Sequence, residues 1–80
     1  MNEAVRSISL AGAYLRVELR DDRTLYVSRA HFKRLINATE AQLAHYSLLG
    51  DGEGVHWPDL DEDISIRGFL RFAERSKIDG

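Results

Sequence analysis

Residues 15–20 alternate strictly between apolar and charged side chains, and this pattern constrains the fold more than any other feature. The six residues are Leu15, Arg16, Val17, Glu18, Leu19 and Arg20. A period of two places apolar side chains on one face of a strand and charged ones on the other, as in an antiparallel sheet with one solvated face. Turn signals at Gly12 and at Asp21 and Asp22 bound this strand. We therefore expect a β-meander with strands near residues 5–10, 15–19 and 24–27.

The pattern changes to helical spacing after residue 27. Ser28 is a good N-cap, and three apolar residues follow it at helical spacing: Phe32, Leu35 and Ile36. Thr39 and Gln42 have the spacing of a capping box, which predicts a second short helix from Glu40 to about residue 45 or 47. The sequence leaves open whether residues 46–49 continue that helix or form a strand.

The last third of the chain predicts a strand, an acidic segment and a final helix. Three glycines between residues 50 and 54 mark a turn, and the strand predicted at residues 55–57 ends at Pro58. Ser65 can cap a helix over residues 66–76, with an apolar face and a basic stripe of Arg67, Arg71 and Arg75. We expect a single α+β domain over residues 1–80, a small antiparallel β-meander packed with two or three short helices.

Composition excludes several classes of function. The chain of 80 residues contains no cysteine, which removes thiolate zinc sites and thiol catalysis. Its apolar runs are far shorter than the roughly 20 residues that cross a bilayer, so we expect a cytoplasmic protein without a membrane partner. The three histidines lack the i, i+4 helical spacing that suits zinc. We expect no cofactor and no enzymatic activity, since no nucleophile, metal cluster or enclosed pocket is evident.

Two segments resemble a known family. Residues 56–63 read H-W-P-D-L-D-E-D and residues 37–42 read N-A-T-E-A-Q. Both are similar to elements of a bacterial family known as domain of unknown function 2442, although Arg23 stands where that family has the glycine of a turn. The resemblance implies a small α+β domain, found in bacteria and phages and often encoded beside a second small protein in a toxin–antitoxin-like arrangement. It implies no catalytic residue.

The charges are segregated along the chain. Residues 51–66 carry six acids and no lysine or arginine. The spacing of Asp59, Asp61 and Asp63 opens like a calcium loop, but Ile64 stands where the glycine is required and Leu70 where the closing carboxylate is required, which disfavours that site. Two interpretations stay open. The carboxylates can stabilise the start of the last helix, chiefly through Asp63 and Ser65, or they can form a docking surface, the acidic rim, made of Asp59, Asp61 and Glu62.

Two aromatic residues and one histidine also have alternative roles. Trp57 is expected to fill the core, although tryptophan is enriched at interface hot spots as well. Phe72 falls beside the apolar face of the last helix, at the core edge or in a contact. His56 lies near several carboxylates, which suggests either a pH-sensitive contact or an ordinary surface histidine.

These features favour a protein-binding module that acts by stoichiometric binding through its acidic surface. We expect its partner to be another small protein, and the sequence also leaves self-association open. The candidate contact residues are Asp59, Asp61, Glu62, Trp57 and Phe72. The alternative is a nucleic-acid-associated regulatory domain that uses Arg67, Arg71 and Arg75 on one helix face, which the net charge of −2 disfavours.

Overall fold

The computed structural model of the chain describes residues 3–78, with side chains described over residues 3–74. Within this range the chain forms seven strands: β1 (Val5–Ala11), β2 (Tyr14–Leu19), β3 (Arg23–Ser28), β4 (Ser47–Leu49), β5 (Gly54–Trp57), β6 (Glu62–Ser65) and β7 (Ala73–Ile78). Two α-helices accompany them: α1 (Glu40–Ala44) and α2 (Ile66–Phe72). The α+β class is confirmed.

The strands form two antiparallel sheets. The first has the order β1-β2-β3-β7, and the second has the order β4-β5-β6. In the first sheet, β1 to β3 are the predicted meander, with Leu15 paired opposite Leu10 on one side and Val27 on the other. The turn between β1 and β2 has Gly12 at φ +63°, a backbone angle that glycine adopts without steric cost. The β2–β3 turn is confirmed at residues 21–22, where Asp22 takes a positive φ.

One cluster of buried apolar side chains joins the two sheets. The alternation in β2 works as predicted, because Leu15, Val17 and Leu19 are all fully buried while Arg16 faces solvent. The second sheet contributes Val55 and Trp57, which are also fully buried. The core therefore lies between the inner face of the first sheet and the small second sheet.

The helix predicted behind Ser28 is wrong as an α-helix. The segment forms two 3₁₀ turns, Arg29–His31 and Lys33–Leu35. Phe32 separates them with an extended backbone (φ −122°, ψ 101°), which interrupts any continuous helix. The cap itself is confirmed, because the Ser28 hydroxyl accepts a hydrogen bond from the Ala30 N–H at 3.2 Å. Apolar spacing alone did not distinguish an α-helix from 3₁₀ turns.

The second helix follows its prediction closely. The Thr39 hydroxyl accepts a hydrogen bond from the Gln42 N–H at 3.1 Å, and the Gln42 side chain accepts one from the Thr39 N–H at 3.0 Å. This is the predicted capping box at the start of α1. Residues 47–49 form a strand, which resolves the alternative that the sequence left open.

The last helix is shorter than predicted. It is capped by Ser65 as expected, but it ends at Phe72, because Ala73 adopts an extended backbone (φ −65°, ψ 123°). The chain then continues as β7 and pairs with β3, where Arg75 lies opposite Tyr26. Pairing with β3 satisfies backbone groups that a sheet edge would leave open, and this outweighs local helix propensity.

Candidate functional site

The acidic rim is built on the turn between β5 and β6. Trp57 ends β5 as a fully buried side chain, and its indole N–H donates to the carbonyl oxygen of Leu43 at 3.0 Å. Pro58 follows, and the Leu60 N–H donates back to the Trp57 carbonyl at 3.2 Å. The buried indole therefore anchors the base of a short turn, residues 58–61, that carries carboxylates at the surface.

Asp61 occupies the tip of this turn. Its φ of +51° is the left-handed conformation, which aspartate tolerates better than most residues. Its side chain is 94% exposed. Arg34 donates one hydrogen bond to the Asp61 carbonyl oxygen at 2.8 Å and approaches the carboxylate at 3.4 Å. The guanidinium thus holds the turn chiefly through the backbone and leaves most of the carboxylate open to solvent.

Two histidines accompany the neighbouring carboxylates. The Nδ1 atom of His45, just after α1, lies 2.8 Å from the Asp59 carboxylate. The Nδ1 atom of His56 on β5 is hydrogen bonded to Asp63, the residue opposite it on β6. Three aspartates therefore each meet a basic side chain from a different part of the fold, and the surface is organised by local pairs.

Asp63 does not cap the last helix, so that interpretation of the acidic segment is wrong for this residue. Asp63 belongs to β6 and bonds with His56, while the Ser65 hydroxyl alone accepts a hydrogen bond from the Gly68 N–H at 3.2 Å. The Glu62 carboxylate accepts a hydrogen bond from the Asp63 N–H at 3.2 Å, within the strand. The hydrogen bonds of these two side chains therefore lie within the β5–β6 hairpin.

Folding divides five of the six acids of residues 51–66 into two groups, and the sixth, Asp63, is hydrogen bonded to His56. Asp51 and Glu53 lie on the β4–β5 turn, at one end of the three-stranded sheet. Asp59, Asp61 and Glu62 lie at the other end, around the β5–β6 turn. The three residues of the acidic rim thus lie around one turn, and Asp51 and Glu53 are not part of it. Within the described residues, no group of three histidines and carboxylates converges on a position for a metal ion.

A match over most of the chain supports the resemblance that the sequence showed. The model of the family described as "Protein of unknown function (DUF2442)" matches residues 5–75. The chain belongs to this family. A solved structure from Rhodospirillum rubrum ATCC 11170, described as a protein of unknown function, is 26% identical, with a TM-score of 0.72 over 90% of this chain and 92% of that one. A search of the curated proteins gave no match.

Two of the predicted contact residues of this DUF2442 domain lie within packed side chains. Trp57 is 0% exposed, so it is a core residue and cannot contact a partner in this fold. Phe72 is partly buried, and its ring stacks on His31 with centroids 4.6 Å apart and meets Phe32 edge to face. Neither is a free aromatic anchor. The predicted contact surface is therefore reduced to the carboxylates of the acidic rim.

The three arginines of the predicted basic stripe do not share one helix face. Arg67 and Arg71 lie on α2, and both are exposed. Arg75 lies on β7 instead. The stripe was predicted from a spacing of four along a helix to residue 76, and the end of α2 at Phe72 removes that geometry. The nucleic-acid alternative thereby loses the observation that suggested it.

Sequence reasoning missed two polar side chains that connect distant segments. The Arg29 guanidinium donates to the carbonyl oxygens of Leu35, Ile36 and Ala38 and so closes the loop after the 3₁₀ turns. The Tyr46 hydroxyl accepts a hydrogen bond from the Ile8 N–H at 3.0 Å, at the edge of β1. No local sequence pattern predicts either hydrogen-bonding contact, because each depends on how the backbone folds.

The clearest electrostatic effect on a carboxylate lies away from the acidic rim, at the β2–β3 turn. The Arg23 backbone N–H donates to the Asp21 carboxylate at 3.0 Å and is the main cause that lowers the pKa of Asp21. The Arg23 guanidinium also bonds this carboxylate at 2.9 Å and that of Glu3 at 2.8 Å. This cluster stabilises the β2–β3 turn. Within residues 3–78, none of the helices has the length and apolar character needed to cross a membrane.

Proposed function

We propose that this domain is a protein-binding module, the antitoxin-like or regulatory half of a two-gene bacterial or phage system. It binds its partner in a stoichiometric complex and performs no catalysis. The observation that carries the proposal is the acidic rim itself, three carboxylates around the β5–β6 turn, whose base a buried tryptophan holds in place. The membership of the family adds the expectation of a small protein encoded beside it.

The rim has the electrostatic properties of a docking surface. Arg34 is the salt-bridge partner of Asp61, and the Asp59 and Glu62 carboxylates on either side of it add further negative charge. The Asp61 carboxylate is almost fully exposed and accepts a second cation without losing the backbone contact from Arg34. Complementary charge of this kind speeds encounter and sets orientation.

The turn is also preorganised. The hydrogen bonds from Trp57 to Leu43 and from Leu60 to Trp57 fix its base, and Arg34 fixes its tip. Ordering a loop on binding opposes association, so a turn that is already ordered retains more of the interaction energy. The partner that fits is a small protein with a basic surface, which the rim masks.

The acids at the other end of the same sheet allow a matched test. Isothermal titration of the domain with the small protein encoded beside it is compared for two variants. One carries Asp59→Asn, Asp61→Asn and Glu62→Gln, and the other carries Asp51→Asn and Glu53→Gln. We expect the rim variant to bind about a hundredfold more weakly and the control to stay within about threefold of the wild type.

The salt dependence sharpens this experiment. Exposed charge pairs are screened as ionic strength rises, so wild-type affinity falls between low and high salt and the rim variant shows a shallower dependence. Equal weakening by the two variants contradicts the proposal. The absence of any complex at low salt contradicts it as well.

A further inference from the structure

Strand β1 forms one edge of the four-stranded sheet, with β2 on its other side. The first part of this edge is covered: the Val5 N–H donates to the Gly52 carbonyl at 2.8 Å, and the Ile8 N–H donates to the Tyr46 hydroxyl at 3.0 Å. The Ile8 N–H therefore points away from β2. Because backbone groups alternate along an antiparallel strand, the N–H and C=O of Leu10 also point away from β2.

The edge is open at Leu10. Among the described residues, nothing forms a hydrogen bond with the outward N–H or C=O of Leu10. We call this stretch, residues 8–11, the open edge of β1. Unpaired strand edges are templates for an additional strand, and proteins usually cover or charge them. Here the coverage ends at Ile8.

An apolar groove of about 270 Å³ lies between the open edge and α1. Its lining residues are Ile8, Ser9, Leu10, Leu15, Glu40, Leu43 and Ala44. The Ser9 hydroxyl accepts a hydrogen bond from the Arg16 side chain on the outer face of the sheet, so Ser9 lines the groove with its backbone. The groove thus reaches the peptide groups on either side of Ser9, which include the free Leu10 N–H.

The wall of the groove carries one charge. Glu40 begins α1, it is exposed, and within the described residues its carboxylate forms no ion pair or hydrogen bond. An occupant that carries lysine or arginine at this position is complementary to it. The open edge, the apolar groove and the carboxylate together specify an extended, partly basic segment.

A second copy of this chain fits poorly. Two β1 edges that pair around a two-fold axis at Leu10 exchange hydrogen bonds at that residue alone, because Tyr46 already occupies the Ile8 N–H. A dimer held by this edge alone needs about 1,200 Å² or more of buried surface, which a ladder at Leu10 and a groove of this size do not supply. The same symmetry would also duplicate the charge of Glu40. A segment of a partner that also contacts the acidic rim does not depend on this edge alone.

We propose that the open edge of β1 binds an extended segment of a partner protein as an added short strand. In the bound segment, backbone groups pair with Leu10, an apolar side chain fills the groove, and a lysine or arginine lies near Glu40. This inference deepens the proposed function, on which it rests, because it assigns the same basic partner a second contact away from the acidic rim.

A synthetic probe tests the groove without the natural partner. The probe is a hexapeptide of alternating valine and lysine, acetylated and amidated at its ends, titrated into isotope-labelled domain and followed by NMR. We expect shift changes in residues 8–11 and 40–44 and slower exchange of the Leu10 amide proton in the complex. A peptide with N-methylated valines cannot donate from those backbone groups, and we expect it to bind about tenfold more weakly.

Helix α1 offers a matched pair of variants. Ala44 lines the groove and Ala41 does not, and both are exposed on the same short helix. We expect Ala44→Phe to fill the groove and weaken probe binding about tenfold, whereas Ala41→Phe changes it less than about twofold. Glu40→Gln is expected to weaken it about threefold. Equal effects of the two phenylalanine variants overturn the inference, as do shift changes confined to residues 59–62.

The natural partner separates this inference from the proposed function. In one outcome, the neighbouring protein binds Ala44→Phe like the wild type but loses affinity for the rim variant. In that case the groove is not a contact, and the proposed binding through the acidic rim stands. If the probe binds the groove but the neighbouring protein does not bind at all, the strand site stands and the proposed function is wrong. If both the Ala44→Phe variant and the rim variant bind the neighbouring protein more weakly, the result supports the strand site and the proposed function.

Discussion

Strand β2 of the four-stranded sheet buries every second side chain, whereas strand β5 of the three-stranded sheet buries consecutive positions. Leu15, Val17 and Leu19 alternate with solvent-facing residues on β2, but Gly54 and Val55 are both buried on β5. A Cβ atom at Gly54 would lie 2.9 Å from the Ile64 carbonyl oxygen, so the backbones there are packed closely. The burial of β2 depends on a repeated pattern, and that of β5 depends on individual residues.

This difference has consequences for stability and for function. A strand with alternating apolar residues tolerates exchange among them, because each buried side chain contributes a similar hydrophobic free energy. Individual anchors tolerate little, because the loss of one removes a contact that no neighbour replaces. The acidic rim follows β5, and its geometry therefore depends on a few residues far from its carboxylates.

The largest expected effect is at Trp57. We expect Trp57→Ala to lower the free energy of unfolding by about 3–5 kcal/mol, because it removes a fully buried indole and its bond to Leu43. Urea denaturation followed by circular dichroism measures it. Tyr14→Ala, at an exposed aromatic residue on the outer face of β2, is the control and should cost less than about 1 kcal/mol. Similar losses for both would contradict the role of Trp57 as anchor.

The next largest loss of stability is expected at a glycine with positive φ, and two such glycines are compared. A Cβ atom at Gly52 (φ +97°) would lie 2.5 Å from the Val5 carbonyl oxygen, whereas at Gly12 (φ +63°) it would meet nothing within 4 Å. We expect Gly12→Ala to cost about 1 kcal/mol from backbone strain alone, and Gly52→Ala about 3 kcal/mol because the β4–β5 turn must also move off β1. Thermal or urea unfolding of the two variants measures these losses of stability. Equal losses would show that the contact between the β4–β5 turn and β1 is unimportant.

Much of the first sheet could be predicted from sequence, because alternation in residues 15–20 and a glycine turn are local signals. The capping box at Thr39 was equally local. The strand β7 could not be predicted, because it forms only where β3 offers an open edge some 50 residues earlier in the chain. In the site, the cluster of carboxylates was visible in the sequence, but the basic partners Arg34 and His45 come from segments that only the fold brings near.

A smaller effect is expected at the helix that touches both sheets. Helix α1 packs against β1, and its Leu43 carbonyl accepts the bond from Trp57. Thr39→Ala removes one half of the capping box and should cost about 1 kcal/mol in urea denaturation. Thr39→Ser keeps the hydroxyl and should stay within about 0.5 kcal/mol of the wild type. A loss with serine as large as with alanine would show that the hydroxyl bond is not the cause.

The smallest effect is a pH dependence in the first sheet. The lowered pKa of Asp21, caused chiefly by the Arg23 N–H, means that folding favours its ionised form. Its contribution is therefore present above the ordinary pKa of about 3.9 and is lost as the pH falls through the lower folded pKa. We expect Asp21→Asn to show a shallower fall in urea midpoint between neutral and acidic pH. A difference from the wild type that stays constant across pH would contradict this.

The account is tested most directly by hydrogen exchange of the domain in complex with the small protein encoded beside it. We predict slowed exchange at residues 59–62, around the acidic rim, and at Leu10 on the edge of β1, with little change at the β4–β5 turn. Protection at that turn alone, or unchanged exchange at residues 59–62 in a saturated complex, would contradict the assignment of the acidic rim as the binding surface.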